Sequence, residues 1–355
     1  YGHVRMAQHV VEAKLGQAVR RRIIQGAKGF GMWGIPSIDF DAKGDRLAIA
    51  DGDGLYVWSL KEDRIQEYGP YNNFPIRTAR FSDDGRRVLS IDASNFAIWD
   101  AETKIRAAYI GARYGAIGAD GKTFFGFDDS AVLKTHSAVD GTSRQTVSPA
   151  RPIQDVREVI GRTDAREYFN EVDVSPTGRW VVGPGVLLFD TSIKRHVAEF
   201  KPSTPPTRIV FAPDERSLIA SDEAGKIVVW DLPAIRPRYA VPEVGTILAL
   251  SADGRIVAAS QGGGVNLFDV QTASLIARID GLTGPPARAE FAPDGRTLVI
   301  GTTDGMLGFW CTTTGAPRMS ARTPRAAVKS VRFSTDGRLL AVGAGHSVIV
   351  RRADR

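Results

Sequence analysis

RAEFAPDGRTLVIGTTDGMLGFW, residues 288–310, reads as three short strands separated by two turns. Arg288–Phe291 alternates small and larger side chains and runs into Pro293-Asp294-Gly295, a turn whose glycine supplies the positive φ it needs. Leu298–Gly301 is apolar and rich in β-branched residues. Thr303-Asp304-Gly305 then reverses the chain again, and Met306–Trp310 closes on a large ring. One such meander cannot bury both of its faces, so it requires neighbours of its own kind.

The rest of the chain supplies them. The turn residue Gly295 has equivalents at Gly44, Gly85, Gly121, Gly178, Gly254 and Gly337, with Glu215 standing where one glycine is lost. These markers lie about 36 to 42 residues apart, with one gap near 57, a period that belongs to propellers and related arrays. The ring that closes the third strand recurs as Trp58, Trp99, Phe189, Trp230, Phe268 and Trp310, and an aspartate follows it at Asp100, Asp190, Asp231 and Asp269. A phenylalanine precedes the turn at Phe40, Phe81, Phe211, Phe291 and Phe333.

These residues resemble the WD-repeat (WD40) family, and the resemblance covers roughly residues 18–355. It implies an all-β fold, a propeller of four-stranded antiparallel blades around a central channel. With eight copies of the marker set, an eight-bladed ring is expected. Family blades carry a Gly-His pair before the innermost strand, whose histidine joins a buried polar network. None of His3, His9, His136, His196 and His346 occupies that place, so the expected blades are held by apolar packing instead.

Residues 1–16 read as a short helix or linker, and 17–355 as a single propeller domain with an insertion at 149–170. Ala18–Gln25 resembles the outer strands Ile105–Ile110 and Ser274–Ile279, while the last repeat, Ser330–Arg351, lacks a fourth strand. The N-terminal strand is therefore expected to close the last blade and cover its open edge. The other blades fall at about 36–68, 77–110, 114–148, 171–200, 208–241, 247–280 and 288–321. The third is the most degenerate, with Thr135 where a ring is expected.

Composition narrows the function. Hydrophobic residues make up 43%, with 37 glycines and 19 prolines, which suits many short strands joined by turns. No apolar run reaches the roughly 20 residues of a membrane span. The one cysteine, Cys311, excludes an internal disulfide framework and fits a reducing compartment, so a cytoplasmic location is expected. The net charge of +6 is spread over the blades, often as arginine directly after the turn glycine (Arg86, Arg179, Arg255, Arg296, Arg338). That reads as solvated surface, not a nucleic-acid face.

Catalysis finds little support in the pattern. The residues expected to face the axis are Asp39, Arg80, Ile117, Asp173, Val210, Ala249, Glu290 and Arg332. Around the ring Glu290, Arg332, Asp39 and Arg80 alternate in sign on adjacent blades, which predicts ion pairs between inner strands and no metal or other cofactor. Asp51-Gly52-Asp53-Gly54 lacks the further acids of a calcium loop, and Gln261-Gly262-Gly263-Gly264 has no helix after it to cradle a phosphate. No Ser-His-Asp or Cys-His pairing is suggested.

A non-catalytic protein-interaction or sensing module is the reading that remains, with a propeller hydrolase or lactonase bearing an axial metal as the alternative. The family resemblance implies a part of a larger signalling or defence protein of bacterial type. The partner, a protein or peptide, is expected on the end of the ring where blade-to-blade connections gather. Those connections hold Phe30, Met32 and Trp33, then Tyr71 and Phe74, then Arg113 and Tyr114, and in the insertion Arg162, Arg166 and Tyr168. Aromatic side chains beside arginines have the composition of interface hot spots.

Overall fold

The structure, a computed structural model, describes residues 34–51, 54–69, 76–82, 84–92, 95–112, 114–118, 120–150, 172–183, 186–199, 206–232, 234–323 and 326–352, and the backbone of 20–23. The segment 1–16 and nearly all of the 149–170 insertion lie outside these residues. Eight four-stranded antiparallel sheets form a closed eight-bladed propeller. In blades one to seven the strands follow chain order from the channel outward. The eighth is composite: Val328–Phe333, Leu339–Ala344 and Ser347–Arg352 are completed by Arg20–Ile23, which pairs antiparallel from Arg20↔Val350 to Ile23↔Ser347. Among the described residues no helix is long and apolar enough to cross a membrane.

The turn glycines act as their spacing predicts. Gly44, Gly85, Gly121, Gly178, Gly254, Gly295 and Gly337 all have φ between 58° and 75°. Each donates its N–H to the carbonyl three residues back, as Gly295 does to Ala292 at 2.8 Å. This is a type I turn followed by a left-handed residue. Glu215 holds the same conformation at φ 57°, where a side chain costs about 1–2 kcal/mol. Its carboxylate offsets that cost by accepting the Thr177 N–H at 2.6 Å and the Thr177 hydroxyl at 2.8 Å, from the blade before. In four turns a buried serine braces the loop: Ser82, Ser175, Ser251 and Ser334 each accept the N–H five residues on, at 2.9–3.0 Å. The arginines after the turn glycines are exposed.

Apolar residues lie between the blades, not within them. The described residues contain eight clusters, and each spans one blade-to-blade layer. The layer between the eighth and first blades joins Val348 and Val350 to Phe40, Leu47 and Trp58, which completes the ring. The expectation of apolar layers is met, and buried polar contacts sit beside them: Trp99 Nε1 donates to buried Ser90 Oγ at 3.2 Å, and His346 Nδ1 lies 3.5 Å from buried Asp51 Oδ1. Outer-strand tyrosines stitch neighbours together. Tyr68 donates to the Ala101 carbonyl at 2.7 Å and Tyr239 to that of Val270, and burial pushes both phenols to about 12.

The ladder also corrects the reading of the third blade. Elsewhere the strand-end residue, the second strand and the ring fall in line, as in Phe40↔Leu47↔Trp58 and Phe291↔Leu298↔Trp310. In blade three the line is Ile117↔Phe124↔His136. The ring position is therefore held by His136, and Thr135 lies on the opposite face of the strand. Ala116, not Ile117, is level with Asp39. A shift of one residue exchanges faces. Burial lowers the pKa of His136, whose Nδ1 lies 3.3 Å from the Gly141 carbonyl. In blade eight the line ends at Arg351, so a guanidinium fills the aromatic position.

Candidate functional site

The inner strand of each blade leaves one row of backbone groups without a ladder partner, facing the channel. Three acids answer part of this need, each on the strand of the preceding blade. Asp39 Oδ2 accepts the Phe81 N–H at 3.1 Å, Asp173 Oδ2 accepts that of Phe211 at 2.9 Å, and Glu290 Oε1 accepts that of Phe333 at 3.1 Å. All three stand one residue before or at the level of the strand end, where the pleat turns the side chain towards the following blade.

The alternating charges meet as their register predicts. Arg332 bridges Glu290 at 3.8 Å and Asp39 at 3.4 Å, and Arg80 approaches Asp39 at 4.0 Å. Blades seven, eight, one and two are thus tied at one level of the channel. Burial raises the Glu290 carboxyl to about 7 against the pull of Arg332, while Glu290 in turn raises Arg332. Burial likewise raises Asp173, opposed by the Phe211 N–H and by Arg208 and Arg80. Among the described residues no three His, Cys, Asp or Glu side chains converge to hold a metal ion. Cys311 takes the place of the aspartate that follows the ring in other blades. The Thr313 hydroxyl, 3.2 Å from its Sγ, leads the contacts that lower the thiol to about 6.

Of the residues expected to bind a partner, Tyr114 alone is described. Its side chain is 6% exposed and packs with Phe125, Phe127 and Phe189 between blades three and four, so its ring is a packing group there. Phe30, Met32, Trp33, Tyr71, Phe74, Arg113, Arg162, Arg166 and Tyr168 lie outside the described residues. Two channel residues escaped the sequence reading, Arg208 and Arg288. The signal was present: Pro205-Pro206-Thr207-Arg208 and Pro285-Pro286-Ala287-Arg288 are the same motif two blades apart.

No protein-family model matches the chain. Protein groucho of Drosophila melanogaster is 26% identical over 141 residues, which are 38% of this chain and 19% of that protein. The Dos1 propeller superposes with a TM-score of 0.70 at 13% identity, covering 90% of this chain and 93% of that one. The C-terminal WD40 domain of Sif2 gives 0.70 at 12% identity, covering 90% and 95%. The fold is shared with WD40-type propellers. Among the described residues this propeller combines the repeated turns and the ring-bearing third strands with apolar layers between blades and a charged inner row.

Proposed function

We propose that this WD-repeat propeller is a non-catalytic interaction module that holds a protein or peptide partner on its loop-rich end. One observation carries the reading: the acids of the inner row are engaged by neighbouring blades, Asp39 and Glu290 by arginines and backbone N–H groups and Asp173 by the Phe211 N–H. Such a row serves as a rigid axle, and recognition falls to the loops around it. By sequence, Phe30, Met32 and Trp33 precede the first blade, Tyr71 and Phe74 join the first to the second, and Arg113 precedes the third. Arg162, Arg166 and Tyr168 extend the same series before the fourth. Membership of a longer signalling protein of bacterial type belongs to this proposal, and the full reading frame tests it. Trp33→Ala and Phe74→Ala are expected to abolish capture of the partner while leaving the thermal transition in place. Binding that survives both changes, or loss of folding, counts against the site. Stoichiometric calcium or zinc in the purified chain would favour the alternative, an axial hydrolase.

A further inference from the structure

The turns that join third to fourth strands lie at the end of the ring opposite the blade-to-blade connections, because the strands of each blade alternate in direction. In blades two, three and four this turn holds Lys104, Gly141 and Lys194 at positive φ, between 54° and 75°. Gly141 is required there, since a Cβ would come 2.4 Å from that of Ala108 on the outer strand of blade two. Further along blade three, Gln145 Nε2 donates to the Thr191 carbonyl in the turn of blade four, at 3.1 Å. The three turns therefore follow one another along one stretch of the outer rim. At Lys104 and Lys194 a glycine would hold the same backbone conformation at lower cost.

Among the described residues five large apolar side chains are exposed, and four belong to these blades: Ile105, Tyr109, Val139 and Ile193. Ile105, Val139 and Ile193 are 68%, 55% and 55% exposed, and each stands within two residues of the left-handed position. The matching turn of blade one, Lys61-Glu62-Asp63-Arg64, is wholly charged. Residues 102–106, 139–144 and 192–195 hold five cations, Lys104, Arg106, Arg144, Lys194 and Arg195, against two acids, Glu102 and Asp140. Asp140 accepts the N–H and hydroxyl of Thr142. The carboxylates at the foot of these turns are engaged, Asp100 by Arg87 and Asp190 by Arg179. Arg106 stacks over Tyr109, 4.8 Å from its ring centre. Lys104, Arg144, Lys194 and Arg195 are exposed and form no ion pair among the described residues. A protein interface draws most of its energy from a contiguous, desolvated centre, which aliphatic tips on separate turns of a convex rim do not offer. A lipid surface accepts such tips singly, while lysine and arginine beside them extend to the level of the phosphates.

We propose that this stretch of rim docks on a bilayer carrying anionic phospholipid, with Ile105, Val139 and Ile193 entering the interface and Lys104, Arg144, Lys194 and Arg195 meeting headgroup phosphates. The surface lies at the end of the ring away from the partner site proposed above and does not depend on it. Co-sedimentation of the full chain with vesicles of equal parts phosphatidylserine and phosphatidylcholine, against vesicles of phosphatidylcholine alone, tests it. Binding to the mixed vesicles only is expected, and it should fall as salt is raised. Ile105→Ser with Val139→Ser and Ile193→Ser should weaken it about tenfold or more at an unchanged melting temperature. Lys104→Gly with Lys194→Gly removes two cations where glycine is the favoured residue. Binding should weaken while the melting temperature holds or rises, a separation that a merely structural role for the lysines would not produce. If the serine variant fails to fold, the glycine variant decides. Equal binding to both kinds of vesicle, binding to neither, or undiminished binding by the glycine variant overturns the proposal. So does a glutamate oligomer that binds through these residues and displaces the chain from the vesicles, since the surface would then serve an acidic protein.

Discussion

Glu290 must reconcile two opposed demands. Arg332 and the Phe333 N–H favour its charged form, and burial in a narrow channel disfavours it; burial prevails, and the carboxyl rises to about 7. A group raised on folding binds its proton more tightly in the folded state. Its stabilising contribution is therefore complete below the unfolded carboxyl range and is lost as pH rises through about 7. Urea midpoints between pH 5 and 8 should fall with pH, and Glu290→Gln should flatten that fall; parallel curves would show that Glu290 does not titrate there. The alternation of Glu290, Arg332, Asp39 and Arg80 was legible because each stands one residue before a recognisable strand end. Arg208 and Arg288 stand on the far side of a bulge, which counting along a regular strand does not register. His136 was passed over for a related reason. With no phenylalanine or tryptophan closing the third strand of blade three to anchor the frame, the count slipped by one.

Among the elements, the closing strand has the most at stake. Arg20–Ile23 contributes four ladder positions to a blade that otherwise has three strands and an open edge. At about 1 kcal/mol net per ladder bond, deletion of residues 1–26 should cost about 4 kcal/mol and a corresponding drop in melting temperature. An unchanged melting temperature would mean that the remaining three strands close the ring alone. The strand was legible because its pattern repeats those of later outer strands and the last repeat ends one strand short. The serine braces were not, since a serine before a turn has many uses, and only the hydrogen bonds to the N–H five residues on reveal this one.

For the whole molecule, eight separate apolar layers mean that stability is close to a sum of nearest-neighbour terms, and the ring is limited by its poorest layer. That layer lies between blades seven and eight. Arg351 is 9% exposed in the slot filled elsewhere by rings, its Nη2 reaches the Arg322 carbonyl at 3.4 Å, and its Nε has no partner among the described residues. A buried guanidinium without a carboxylate is a cost that apolar replacement removes. Arg351→Leu and Arg351→Trp should each stabilise the fold by about 1–3 kcal/mol in urea titrations, and destabilisation by both would show that the charge is structurally required. The closing pair has a mechanical consequence as well. Because Arg20 lies opposite Val350 and Ile23 opposite Ser347, the chain enters and leaves this pair at the same end. Tension applied through the two flanking segments would peel its bonds one after another, as a zip opens, without loading them together in shear. Closure that resists heat through many neighbours can then yield to a modest pull at one seam.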